Sequence, residues 1–179
     1  MKSKTITTTR FNTDTFQQNR QYMQKKEING CIYGTPMKMK HNIPMESSVY
    51  VIEMNNDTNK IEGIGLINNR LIVDKNYRIY KDMDYNRYIY KGKHRLDVNI
   101  INDNFYKQVI HVLEHLLFKG ERHCKRSHGI TKLSDWIINN KHEFDFIKCF
   151  DNMFNKYIFT SCNKYNINNS KDYTDRKET

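Results

Sequence analysis

Apolar and β-branched runs alternate with helical stripes along this chain, and their spacing predicts its elements. Residues 5–11, TITTTRF, are β-branched enough for an opening strand. Asn12, Thr13 and Asp14 then offer N-cap oxygens to a helix reaching about residue 27, with Phe16, Tyr22 and Met23 as its buried positions. Asn29-Gly30 stops that helix, and a short strand follows at 31–33, ended by Gly34 and Pro36. The clearest β signal is the apolar run 49–54, a polar turn at 55–59, and a partner strand at 61–67. Gly63 and Gly65 share one face of that partner, where missing side chains admit another backbone, a bulge or a flat ligand.

Two further strand-like runs lie at 77–80 and 85–91. Asp103 can cap an amphipathic helix to residue 118, with Phe105, Val109, Val112, Leu113, Leu116 and Leu117 as its apolar stripe. Gly120 ends it. Ser134 can cap a short helix bearing Trp136, Ile137 and Ile138. A last helix over 142–159 presents Phe146, Ile147, Phe150, Phe154 and Ile158. The pattern implies one α+β domain over 1–160, sheet-rich to residue 100 and helical after it. Its architecture is expected to be a small twisted antiparallel sheet, or a partly open barrel, with flanking helices. Residues 161–179 read as a disordered polar tail.

Composition narrows the setting more than the function. The hydrophobic fraction is 37% and the mean hydropathy −0.86, yet 12% of residues are aromatic, which is too many for a disordered chain. Asn, Lys, Ile and Tyr are abundant and alanine is absent, a bias toward AT-rich codons that itself raises the lysine count. No apolar run has signal-peptide form or the ~18 residues needed to cross a bilayer. The four cysteines form no C-x-x-C pair, so reduced thiols and an intracellular, non-membrane setting are expected.

The formal charge of +10 is unevenly spread. Residues 1–69 carry 9 basic and 6 acidic groups, residues 70–132 carry 14 and 7, and residues 133–179 carry 7 of each. Within the middle third, Arg78, Arg87, Lys91, Lys93 and Arg95 interleave with Tyr80, Tyr88 and Tyr90. Arg122, Lys125 and Arg126 form a second cluster in the loop 119–132. Lysine and arginine neutralise phosphates, and an exposed tyrosine stacks on an unpaired base. The same alternation also describes a half-buried strand with tyrosines inward and charges in water.

Other candidate chemistry is thinner. His111, His115, Cys124 and His128 offer zinc-type donors, but their spacing matches no common zinc signature. Cys124, beside His123, Lys125 and Arg126, is a candidate for a lowered thiol pKa. Asp82 and Asp84, with Glu53 or Asp57, could group as an acidic site, although no nuclease motif accompanies them. Gly63-Ile64-Gly65 alone is a weak phosphate-loop signal. No catalytic residue, metal or cofactor is assigned.

From residue 5 to about 91 the order of elements resembles the PUA-like folds, especially the EVE and YTH branches. The resemblance rests on the glycine-ended strand at 31–36, SVYVIEM at 48–54, and KIEGIGLI at 60–67. It implies a small twisted barrel that binds RNA or a modified base. The aromatic cage of the YTH branch does not carry over, because the single tryptophan, Trp136, lies outside the matching region. The Asn-rich style, with YNRYIYKGKHRL, is also similar to proteins of giant DNA viruses, which implies host cytoplasm or virion. The expected function is binding of RNA or single-stranded nucleic acid. The rival is a viral structural or interaction protein meeting an acidic protein partner, and a metal-dependent enzyme ranks third.

Overall fold

The computed structural model describes residues 4–160. Strand β1 (Lys4–Phe11) belongs to a five-stranded mixed sheet with β3 (Ser48–Asn55) at its centre, β4 (Lys60–Asn68), β6 (His94–Asp97) and β7 (Thr131–Lys132). Their spatial order is β6-β4-β3-β1-β7. The β1–β3 pair is parallel and the other pairs are antiparallel, which corrects the wholly antiparallel expectation. Helix α1 (Thr13–Lys25) carries the chain back between the parallel strands, as such a connection requires. Strands β2 (Cys31–Thr35) and β5 (Tyr88–Gly92) form a separate antiparallel ladder. The fold is α+β, and the main sheet is open, with no closed barrel among the described residues.

Both faces of the main sheet are covered, which explains the nearly continuous apolar run of β3. Alternate residues of a strand face opposite ways. Tyr50, Ile52 and Met54 join the cluster under α2 (Asn104–Phe118), α3 (Asp135–Ile138) and α4 (Phe146–Phe154). Val49 and Val51 join a second cluster with Ile67, the β2–β5 ladder and Met23 of α1. Gly92 makes the close passage between ladder and sheet possible, since a Cβ there would lie 2.0 Å from the Leu66 carbonyl oxygen.

Two of the three expected caps act through their side chains, whereas Ser134 precedes α3 without a side-chain cap bond. Asn12 accepts from Thr15 N at 2.8 Å, and Asp103 accepts from Phe105 N at 2.9 Å. Three expected elements differ. Residues 77–80 form no strand, because the Asn86 side chain accepts from both Ile79 N and Tyr80 N and so replaces a strand partner. A 3-10 turn (Met83–Asn86), capped by Asp82, takes up the start of the run expected at 85–91. The last helix begins at Phe146 rather than 142, because Asn140 and the positive φ of Glu143 (52°) fold 139–145 into a turn; a π-helical turn (Asn155–Phe159) extends α4. The expected tail at 161–179 lies outside the described residues.

Candidate nucleic-acid interface

The tyrosines of the basic segment point mostly inward. Tyr80 is 6% exposed and its hydroxyl accepts from Asn19 Nδ2 at 3.0 Å. Tyr90 is 1% exposed and its hydroxyl accepts from Met39 N at 3.0 Å. Burial pushes both phenols above their ordinary range, and those donated bonds only partly offset it. Stacking from Tyr80 and Tyr90 is therefore corrected: their rings fill the cluster between the ladder, α1 and the sheet. Tyr88 and Tyr85 remain half-buried, Tyr88 under the Lys38 ammonium and Tyr85 edge-on to Tyr80 at 6.2 Å.

Arg95 also leaves the proposed surface. Its side chain is 9% exposed and faces Glu53, which is fully buried. Nε donates to both Glu53 oxygens at 3.0 Å, and Nη2 donates to Oε2 at 2.7 Å. Nη2 also reaches the Glu62 carbonyl and Nη1 reaches Asp97. Tyr33 donates its hydroxyl to Glu53 Oε1 at 2.8 Å, and Arg20 Nη2 stands 3.8 Å from the same oxygen. Burial alone would lower the Arg95 guanidinium's pKa, but the adjacent Glu53 carboxylate more than reverses this and raises it. The glycine face of β4 makes room for this cluster. A Cβ on Gly65 would lie 2.0 Å from the Tyr33 hydroxyl, and one on Gly63 would lie 2.5 Å from Arg95 Nη2. What fills the glycine face is thus the protein's own ring and guanidinium.

The remaining cations divide by position. Arg78, Lys91, Lys93, Arg122 and Arg126 are exposed and have no ion pair among the described residues; neither has the exposed Lys81. Arg87 pairs with Asp84 at 2.7 Å. The carboxylates of the segment are mostly engaged within the fold. Asp97 bonds Arg95, Asp103 bonds Lys156, and Glu114 accepts from Ile61 N and Lys60 Nζ. Asp74, Asp82, Asp84 and Glu121 are exposed as well, so cations outnumber carboxylates at the surface of this segment without being its sole charges.

Residues 80–85 border a cleft of about 490 Å³ at the carboxyl ends of β1 and β2, to which loop 119–130 contributes Gly129, and whose charged lining residues are Arg10, Lys81, Asp14 and Asp82. Tyr80, Lys81, Asp82 and Tyr85 line one side, with Gly129, Arg10 and Asn56 opposite. Loop 119–130 is tied to this end of the sheet because Arg10 Nη1 and Asn56 Nδ2 both donate to the Lys125 carbonyl, at 3.3 and 3.0 Å. Lys125 Nζ itself donates to Asn59. Asn56 Oδ1 is shielded and has no hydrogen-bond partner among the described residues. The amide end of α1 beside the cleft is already served, since Asp57 accepts from Thr13 N at 2.9 Å. Lys91 and Lys93 lie toward the far end of β5, and Arg122 turns to a groove beside α2.

The zinc-type candidates are dispersed. His128 faces Arg10, His111 stands 4.0 Å from Glu114, His115 is exposed on α2, and Cys124 packs against the helical core. No group of three His, Cys, Asp or Glu able to hold a metal occurs among the described residues. Burial pushes the Cys124 thiol up, only partly offset by Ser134, where sequence neighbours pointed to a lowered value. The acidic candidates separate too: Asp82 caps the 3-10 turn, Asp84 holds Arg87, Asp57 caps α1 and Glu53 is sealed inside. No helix of the described residues is long and apolar enough to cross a membrane. Compared with protein families, curated sequences and solved structures, the chain has no match in any of the three.

Proposed function

We propose that the protein binds nucleic acid, with RNA or another single strand as the preferred form. The observation that carries this reading is the excess of cations in residues 70–132, 14 against 7 carboxylates, among which Arg78, Lys81 and Arg126 are exposed with no ion pair among the described residues. Free surface cations neutralise phosphates, and the release of counterions drives association. The cleft beside Lys81 is within the size range of small-ligand sites and can admit an unstacked base. Asn12, whose Oδ1 caps α1, offers it an amide nitrogen for hydrogen bonding, and Tyr85 offers a half-buried ring. A single strand can present such a base without the cost of opening a duplex. The resemblance to PUA-like folds, which hold RNA or a modified base, supports the same choice, with an open sheet in place of their barrel.

Fluorescence anisotropy with labelled RNA, single-stranded DNA and duplex, each at several salt concentrations, tests this proposal. Three phosphate contacts to a single strand give a log–log salt slope of about −2. Replacing Lys81, Arg78 and Arg126 singly by alanine weakens binding to every sequence and flattens that slope by about 0.7 each. Binding that is absent at low ionic strength, or indifferent to salt, overturns it.

A further inference from the structure

Helix α2 carries more apolar surface than its core uses. Val109, Leu113 and Leu117 are buried, but Phe105 is 54% exposed and Val112 50% exposed, and Leu116 is half-buried beside them. These three stand at i, i+7 and i+11, one continuous stripe about 17 Å long on the outer flank of α2. Across from it, Trp136 of α3 (38% exposed) and Phe144 complete an apolar groove of about 770 Å³. The Phe105 and Phe144 rings close one end at 6.4 Å.

The far wall is built, not loose. Asn140 donates Nδ2 to the carbonyls of Ile137 (3.2 Å) and Phe144 (3.0 Å), and its Oδ1 accepts from His142 N and Phe144 N. One side chain thus holds the whole turn that presents Phe144. The charged residues lining the groove are Arg122 and Lys141, with His142 beside them and no carboxylate. Glu143 lines a neighbouring hollow instead. An apolar floor of this length with a cationic border is complementary to an amphipathic helix whose polar face is acidic.

We propose that this groove docks an acidic amphipathic helix of a partner protein, seated on Phe105, Val112 and Trp136 and oriented by Arg122 and Lys141. The proposal is independent of the nucleic-acid reading, whose cleft is lined by different residues. Trp136 is the chain's single tryptophan, so its emission reports on the groove alone. An aromatic anchor of this kind dominates many interfaces.

The test titrates the full chain with two synthetic peptides of about three helical turns. Both carry Leu and Phe at i, i+4 and i+7, one with Glu and the other with Lys at the remaining positions. The Glu peptide is expected to give a saturable blue shift of Trp136 at micromolar concentration, with the Lys peptide roughly tenfold or more weaker. Val112→Glu, at an exposed position, abolishes the shift without moving the unfolding midpoint. Arg122→Glu with Lys141→Glu reverses the preference. Equal affinity for both peptides, or no saturable shift with either, overturns the proposal. So does a Trp136 already shielded from iodide in the free chain, since the chain itself then covers the groove. A concentration-dependent dimer whose formation shifts Trp136 overturns it too, with a second copy as the occupant.

Discussion

Removing the Arg95 guanidinium leaves Glu53 as a buried carboxylate with too few partners. Arg95→Met keeps much of the side-chain volume but deletes three donated bonds to Glu53, at 3.0, 3.0 and 2.7 Å. Tyr33 and a distant Arg20 remain, and neither replaces a bidentate cation. Breaking a buried pair by deleting one member costs about 3–5 kcal/mol, a large share of the ~5–15 kcal/mol that holds a domain together. In urea this loss moves the unfolding midpoint down by about 1.5 M, read by far-ultraviolet circular dichroism. Glu53→Gln on the Arg95→Met background removes the stranded charge while keeping an acceptor for Tyr33. The double variant should therefore recover about 2 kcal/mol relative to Arg95→Met. An Arg95→Met loss under ~1 kcal/mol, or a double variant weaker than Arg95→Met alone, refutes the reasoning.

The packing around Glu53 and the buried thiols on both faces of the sheet give three further expectations. Gly65→Ala places a Cβ 2.0 Å from the Tyr33 hydroxyl and 2.8 Å from Cys31 Sγ, and should cost about 1–3 kcal/mol in the same urea titration. Burial and the Glu53 charge push the Cys31 thiol up to about 12, above its ordinary value of 9.0. The folded state then holds this proton more tightly than the unfolded chain, so stability is full below pH 9 and falls as pH rises from there toward 12. Thermal melts at pH 8, 9 and 10 check the sign, which reverses if the thiol ionises more readily when folded. At neutral pH, Cys31 and Cys149, both buried, should resist iodoacetamide until denaturant is added, as peptide mass mapping would report.

Much of the scaffold can be read from residue pattern, because the deciding information is local. The run VYVIEM and its partner KIEGIGLI pair as their alternation requires, and Asn12 and Asp103 cap the helices they precede. The β5 region is harder, because Asn86 satisfies Ile79 N and Tyr80 N through a side chain, a choice no periodicity encodes. The parallel pairing of β1 with β3 is likewise a tertiary outcome. At the candidate site, alternating Tyr and Lys or Arg suits either an outward or an inward ring, and burial of Tyr80 and Tyr90 settles it inward. One signal was available beforehand: a lone glutamate within the apolar run of β3, facing Gly63, calls for a buried cation, which Arg95 supplies. The groove was partly visible as well, since the apolar stripe of α2 is wider than one packing face needs.

Photo-cross-linking of a bound single-stranded oligonucleotide, with the adducts mapped by mass spectrometry, tests the proposed function most directly. Binding at the cleft places adducts on Tyr85 and on the peptides carrying Lys81 and Arg126. Adducts confined to Trp136 and Phe105, or none at low salt, contradict it.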